Sequence, residues 1–171
     1  MISTFFHGFS DELSKLGSVP PKIVELLKRP ERLLADKLES STFGSGVDHP
    51  SSKRFRYFGA YEEDGSLVGM IRANTDPLRA WKGDDNYEKI KALNPDVAIS
   101  AMAVRPEYRR KGIARLLRNR IKDEYNSILT GISTSYSNVP AMERLNEEMG
   151  FKKILERAGG KNRQYHWKRP K

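Results

Sequence analysis

The residue types best suited to binding a charged ligand lie close together in residues 104–114, whose sequence is VRPEYRRKGIA. Three consecutive cations precede Gly112, which has no side chain and so lets the backbone turn tightly. Unpaired N–H groups at the start of a helix bind anions, and an amphipathic stretch begins directly after Gly112. The residues of this candidate anion site are Arg109, Arg110, Lys111, Gly112, Ile113 and Ala114. The pattern suits a pyrophosphate better than a carboxylate, with a simple basic turn as the alternative.

A strand and a helix must hold this loop in place. Residues 97–104 are apolar enough for a buried strand, and residues 112–125 repeat apolar side chains at helical spacing. Residues 127–134 predict the strand that follows the helix. The expected unit is therefore a strand, an anion-binding loop, a helix and a second strand.

The rest of the chain predicts further helices and strands, with no internal repeat. A turn at Asp64 and Gly65 separates two strand-like runs, which predicts a β-hairpin. Apolar spacing on both sides of Pro30 predicts two short helices that meet there. The remaining predicted segments are a strand at 2–7, a helix at 10–16, a loop at 40–52, hairpin strands at 55–62 and 67–73, a long connection at 74–96 with a short helix at 87–93, a helix at 140–149, and strands near 154 and 165–167. This order predicts a mixed α/β fold.

The composition excludes several classes of protein and of site. The 171 residues include no cysteine, which excludes a disulfide scaffold, a thiolate metal site and a cysteine nucleophile. His7, His49 and His166 show no metal-ligand spacing, so no metal is expected. No apolar run approaches the roughly 20 residues of a transmembrane helix, and the N-terminal residues lack a signal-peptide pattern. We expect a cytoplasmic protein.

The net charge of +9 is distributed unevenly along the chain. Residues 1–100 contain 14 Lys or Arg and 15 Asp or Glu, whereas residues 101–171 contain 17 and 7. This asymmetry indicates a polyanionic partner: a nucleic acid, an anionic membrane surface or a phosphorylated cofactor. A basic face that only aids solubility is the alternative. The C-terminal residues 161–171 mix basic and aromatic side chains, which suits nucleic-acid binding or an ordinary basic edge strand.

The anion-site loop resembles motif A of the GNAT superfamily, the acyl-coenzyme-A-dependent N-acyltransferases. The signature of that motif is Arg or Gln, two residues, Gly, one residue, then Gly or Ala, which Arg109, Gly112 and Ala114 match. Residues 103–108 are similar to the family's strand-to-loop sequence, and residues 138–151 resemble its second cofactor-binding motif. The resemblance covers residues 97–156. It implies a GNAT-like mixed central sheet flanked by helices, with strands 97–104 and 127–134 splaying apart to form an acyl-CoA cleft.

The resemblance also implies one domain over residues 1–171 and a set of cofactor contacts. The domain would comprise an N-terminal strand, helices and loop at 1–53, a hairpin and insertion at 54–96, the acyl-CoA core at 97–156 and a basic strand and tail at 157–171. Acetyl-CoA is the expected co-substrate. Its pantetheine arm would pair with the backbone of Met102, Ala103 and Val104, and its pyrophosphate with the loop. Arg115 and Arg118 would meet the adenosine phosphate. Asn138 would contact the pantetheine or cap the next helix.

Direct transfer to an amine, as the resemblance implies, needs a base, a polarised carbonyl and a proton donor. Asp96 and Ser100 lie in or beside the strand that carries the base in relatives, although Asp96 also fits a turn carboxylate and Ser100 would mainly position water. Many relatives place a tyrosine as the acid where this chain has Asn146. Tyr136 is the nearest substitute in the sequence, with a packed or exposed loop tyrosine as the alternative.

The function expected from these features is acetyl transfer from acetyl-CoA to a primary amine of an unidentified acceptor. The basic residues outside the loop favour a nucleic-acid-linked acceptor such as aminoacyl-tRNA. The alternative is a non-catalytic GNAT-fold module that binds coenzyme A or nucleic acid, which Asn146 at the expected acid position favours slightly.

Overall fold

A computed structural model of the chain describes residues 20–43, 53–133, 139–157 and 159–170. The elements within these ranges are β1 (Lys22–Glu25), α1 (Arg29–Phe43), β2 (Phe55–Tyr61), β3 (Leu67–Asn74), α2 (Tyr87–Ala92), β4 (Val97–Val104), α3 (Ile113–Glu124), β5 (Ser127–Ser133), α4 (Val139–Glu148), β6 (Lys152–Arg157) and β7 (Asn162–Lys168). The strand expected at 2–7, the helix at 10–16 and residues 44–52 of the expected loop lie outside the described residues, as do Tyr136 and Asn138.

The described strands form one mixed sheet in the order β1-β2-β3-β4-β5-β7-β6. Neighbouring strands are antiparallel except for β4 and β5, which are parallel. A parallel pair requires a crossover connection, and α3 provides it between these two strands. The predicted mixed α/β fold is confirmed, and the parallel pair among the described strands consists of the two strands that the family resemblance assigns to the cleft.

Helices cover both faces of the sheet. On one face, the apolar side of α3, formed by Ile113, Leu117 and Ile121, packs on β2, β3, β4 and β5 together with α4. On the other face, Ala35 and Leu38 of α1 pack on alternate residues of β2 and β3. A smaller cluster around Trp81, Ile90 and Leu129 lies beneath the insertion that carries α2. The buried sides of these strands therefore point both ways, as in a sheet with two covered faces.

The segment around Pro30 differs from its prediction. Residues 22–25 form a strand with alternating exposure, so the first of the two expected short helices is wrong. Pro30 is the second residue of α1, a first-turn position where its missing N–H breaks no helical hydrogen bond. The helix continues to Phe43, so the expected loop does not include residues 40–43, where the Thr42 hydroxyl donates to the Leu38 carbonyl at 2.8 Å.

The predicted hairpin, the short helix at 87–93 and the strand-loop-helix-strand unit are confirmed within one or two residues at each described end. One feature of this packing escapes the apolar pattern. A Cβ atom on Gly69 in β3 would lie 2.8 Å from Cγ2 of Ile113, the first residue of α3. Gly69 therefore allows the start of α3 to approach the sheet closely.

Candidate functional site

The two parallel strands separate after a short paired stretch. Val97, Ala98 and Ile99 of β4 pair with Ile128, Leu129 and Thr130 of β5. Beyond that stretch, residues 101–104 pair only with β3 and residues 131–133 only with β7, within the described part of the chain. The facing edges of β4 and β5 thus leave backbone groups available for a ligand. Met102, Ala103 and Val104, the expected pantetheine contacts, lie along this opening.

A β-bulge marks the beginning of the opening in β4. Arg72 of β3 is opposite Ala101, whereas Ala73 is opposite Ile99, so Ser100 is the extra residue. The bulge reverses the alternation of side chains, because Val97 and Ile99 face the α3 side before it and Met102 and Val104 face that side after it. The α3 face of β4 therefore remains apolar along its whole length, and Ser100 stands exposed at the transition.

The Ser100 side chain is held by Arg72. Arg72 Nε donates to Ser100 Oγ at 3.1 Å, and the Ser100 hydroxyl donates to the Arg72 carbonyl at 3.2 Å. Arg72 Nη1 in turn donates to Glu39 Oε2 of α1 at 2.9 Å. The side chains of Arg72 and Glu39 are only 8% and 4% exposed. A buried ion pair therefore supports the exposed serine, as burial of two charges requires close pairing.

The loop before α3 has the geometry expected of an anion site. Gly112 has φ 76° and ψ −2°, a left-handed conformation that suits glycine. The N–H of Leu116 donates to the Gly112 carbonyl at 3.0 Å, whereas the described structure gives the N–H groups of residues 110–115 no protein acceptor. The exposed cations Arg110 and Lys111 lie beside them and form no ion pair with a described residue. Free donors and positive charge therefore meet at one helix N-terminus.

The other predicted loop residues occupy defined places around this point. Arg109 Nε donates to the Val104 carbonyl at 3.2 Å and so ties the loop to the end of β4. The Lys111 ammonium lies 4.9 Å from the centre of the Tyr108 ring. Ile113 is buried against β3, Ala114 is half-buried, and Arg115 pairs with Glu148 of α4. The loop residues are thus together, although Arg115 already has an acidic partner.

Arg118 is not where the resemblance places it. Its side chain is only 1% exposed, donates to Asn146 Oδ1 and lies 5.4 Å from the centre of the Phe151 ring. The expectation that Arg118 meets the adenosine phosphate at the protein surface is therefore wrong. Burial lowers the pKa of Arg118 to about 10. Asn146 is also fully buried, so its side chain does not face the cleft.

Asp96 lies at the closed end of the strand pair. Its Oδ2 accepts hydrogen bonds from the N–H groups of Asn126 and Ser127, at 2.8 and 3.0 Å. Ser100 is four positions after Asp96, which corresponds to about 13 Å in an extended strand. The structure therefore brings Ser100, but not Asp96, to the opening between β4 and β5.

Sequence reasoning missed Arg72, Glu39 and Gly69. Arg72 could have been found as a cation inside the apolar run of β3. Glu39 could have been found as an acid four positions after the buried Ala35 of α1. Among the described residues, no group of three or more His, Cys, Asp or Glu side chains could hold a metal ion. No helix in the described ranges is long and apolar enough to cross a membrane.

A family comparison agrees with this geometry. The family model described as the acetyltransferase (GNAT) family matches residues 22–151, which is more than half of the chain. A comparison with curated protein sequences finds no match.

Solved structures show the same fold at low sequence identity. The ribosomal-protein-S18-alanine N-acetyltransferase from Escherichia coli aligns at 15% identity and a TM-score of 0.58, over 85% of this chain and 91% of that chain. FeeM, an N-acyl amino acid synthase from uncultured soil microbes, aligns at 14% identity and a TM-score of 0.64, over 86% and 91%. A variant of spermidine N-acetyltransferase from Vibrio cholerae aligns at 16% identity and a TM-score of 0.60, over 86% and 94%. This chain belongs to the GNAT family of acetyltransferases, which are acyl-CoA-dependent N-acyltransferases.

Proposed function

We propose that the chain transfers an acetyl group from acetyl-CoA to a primary amine in the opening between β4 and β5. The observation that carries this proposal is the joint placement of the unpaired strand edges and the N–H groups of residues 110–115. The free N–H groups and the adjacent cations fit a pyrophosphate. The strand edges at Met102, Ala103 and Val104 fit the amide groups of a pantetheine arm.

The residues proposed to hold the co-substrate divide by chemistry. Arg109, Arg110, Lys111, Gly112, Ile113 and Ala114 would hold the pyrophosphate, mainly through backbone N–H groups. Arg115 would meet the adenosine phosphate only by sharing its guanidinium with Glu148. Asn138 lies outside the described residues and is retained as a proposed pantetheine contact.

Ser100 has a defined capacity to orient an amine. A hydroxyl has one proton to donate and two lone pairs that accept. The Ser100 hydroxyl donates its proton to the Arg72 carbonyl, and one of its lone pairs accepts from Arg72 Nε. One lone pair of the hydroxyl oxygen therefore remains available. Ser100 would therefore accept a hydrogen bond from the incoming amine or from a water, and it would not remove a proton. Because Asp96 lies at the other end of the strand, we leave it out of the proposed proton transfer.

Acetyl-CoA supplies the activated acetyl group as a thioester, and the departing thiolate needs a proton. Tyr136, which lies outside the described residues, remains the proposed donor, with water as the alternative. The interior position of Asn146 weakens the argument for a non-catalytic module that rests on this residue. That asparagine holds Arg118, so its identity follows from packing inside the protein.

The proposed acceptor is a primary amine, and several kinds of molecule could bear that amine. The names of the three solved structures specify a protein alanine, an amino acid and spermidine, so the fold itself permits different amines. Lys152 of β6, Lys168 of β7 and Lys161 in the turn between them form no ion pair with a described residue. They support an anionic carrier such as a nucleic acid, including aminoacyl-tRNA. We also propose a cytoplasmic location, which the lack of cysteine supports.

The transfer can be tested by measuring the free thiol released from acetyl-CoA in the presence of candidate amines. Because the chain has no cysteine, a thiol reagent reports coenzyme A without a protein background. The candidates are peptide N-termini, amino acids, spermidine and aminoacyl-tRNA. Ser100→Ala should lower turnover about tenfold, the value of one hydrogen bond, while co-substrate affinity stays unchanged. Ser66→Ala in the hairpin turn is the matched control and should change neither. Thiol release that no amine stimulates would contradict the proposed transfer.

A further inference from the structure

Arg118 is a buried cation that no described carboxylate neutralises. It is 1% exposed, and the hydrogen-bond acceptor it reaches is the neutral amide oxygen of Asn146. Its Nε and the Asn146 Nδ2 are buried with no hydrogen-bond partner. Burying a charge beside a neutral partner opposes folding, so this arrangement calls for a compensating function.

The neighbouring charges do not neutralise Arg118. Arg115 and Lys122 lie one turn before and one turn after it on α3, and both are basic. The carboxylate of Glu148, which α4 places nearby, pairs with Arg115. Lys122 Nζ donates to the Met149 carbonyl at 3.0 Å, at the end of α4. One face of α3 therefore presents three cations to α4, and among the described residues Arg115 alone of the three has an acidic partner.

The position of Arg118 relates this charge to the anion loop. Arg118 is six residues after Gly112, the N-cap of α3, which corresponds to about 9 Å along the helix axis. Long side chains in a helix point toward its N-terminus, so the guanidinium is displaced in the direction of the loop. Charges separated by low-dielectric protein interact more strongly, and are screened less by salt, than charges separated by water.

We propose that Arg118 is an electrostatic contributor to co-substrate binding: its buried, unneutralised charge attracts the phosphates held at the start of α3 without touching them. Asn146 supports this role of Arg118. Its side-chain oxygen accepts a hydrogen bond from the guanidinium, and because the amide is neutral the positive charge is not cancelled. This inference rests on the proposed function, because it requires that the loop binds the phosphates of coenzyme A.

The test compares coenzyme A affinities by isothermal titration calorimetry. Arg118→Met combined with Asn146→Leu removes the charge and both buried polar groups, so neither position leaves a buried polar group without a hydrogen-bond partner. Asn146→Asp keeps Arg118 and its hydrogen bond but neutralises the charge. Arg120→Met is the matched control, because it removes the same charge from a side chain that is 35% exposed and paired with Glu124.

We expect both interior variants to bind coenzyme A about three- to tenfold more weakly than the wild type, and the control to bind equally well. The double variant should be at least as heat-stable as the wild type without ligand, a result that a purely structural role would not give. The deficit should persist when salt is raised from about 0.15 M to about 1 M, because a buried charge is poorly screened.

Wild-type affinity in both interior variants would overturn the inference and leave the proposed function intact. Failure of the folded wild type to bind coenzyme A would overturn the proposed function, and this inference with it.

Discussion

Arg72 and Ser100 hold each other across the β3–β4 pair, where the guanidinium Nε donates to the serine hydroxyl at 3.1 Å and the hydroxyl donates to the Arg72 carbonyl at 3.2 Å. Ser100 is the extra residue of the bulge at which β4 begins to leave β5. Glu39 lies behind Arg72 as its buried partner. The geometry of the opening thus depends on a charge pair between the sheet and α1.

Removing Arg72 alone should destabilise the protein strongly. Arg72→Met leaves the Glu39 carboxylate buried without this partner, and breaking a buried pair costs about 3–5 kcal/mol. Replacing both residues, Arg72→Met with Glu39→Leu, should recover most of that loss, because neither charge of the pair is then left in the interior. Denaturation by urea measures both free energies of unfolding. A double variant no more stable than the single variant would contradict the ion-pair interpretation.

The close contact of β3 with α3 gives a second prediction. Gly69→Ala places a methyl group 2.8 Å from Ile113 Cγ2, and overpacking of this kind costs about 1–3 kcal/mol. The matched control is Gly131→Ala in β5, where the atoms nearest to the new methyl group belong to the flexible end of Gln164, the first of them at 3.0 Å. The control should change the free energy of unfolding by about 0.5 kcal/mol or less. Equal losses in thermal denaturation would argue against a specific contact with α3.

The conformation of Gly112 gives a third prediction. A Cβ at this position meets no atom within 4 Å, so any loss in Gly112→Ala comes from the backbone conformation. The left-handed region costs about 1–2 kcal/mol for alanine, and asparagine tolerates it better. Gly112→Asn should therefore be more stable than Gly112→Ala in urea denaturation. The reverse order would show that the loop does not require a left-handed residue.

His166 should make the protein sensitive to mild acid. Its Nε2 lies 2.8 Å from Ser127 Oγ, and burial, with a smaller effect of Lys168, lowers the pKa of its imidazole. In the unfolded chain the His166 imidazole takes up a proton near pH 6.5, whereas in the folded chain this imidazole stays neutral to a lower pH. Stability therefore falls as the pH drops through about 6.5. His166→Gln should lose less thermal stability than the wild type between about pH 7.5 and about pH 5.5. Parallel losses in both proteins would exclude a contribution from His166.

The sequence alone predicts the elements whose patterns are local. The hairpin follows from Asp64 and Gly65 between two apolar runs, and the anion loop follows from three cations and Gly112 between a strand and a helix. The prediction for the four residues of β1 failed because their apolar spacing fits a short helix as well as a strand, and only pairing with β2 decides between them. Residues that act through partners distant in the sequence were not predicted, because their pairing too is decided only by the fold. Glu39 and Arg72 are 33 positions apart, and Arg118 and Asn146 are 28 apart, so neither pair is visible as a motif.

We propose that the opening between β4 and β5, together with the loop before α3, binds acetyl-CoA. The most direct measurement is the stoichiometry and affinity of acetyl-CoA binding, by calorimetry or native mass spectrometry, with Gly112→Trp as the blocked-loop control. We predict one molecule bound per chain by the wild type and none by the folded control. A folded wild-type protein that shows no binding at millimolar acetyl-CoA would rule out the proposed co-substrate site.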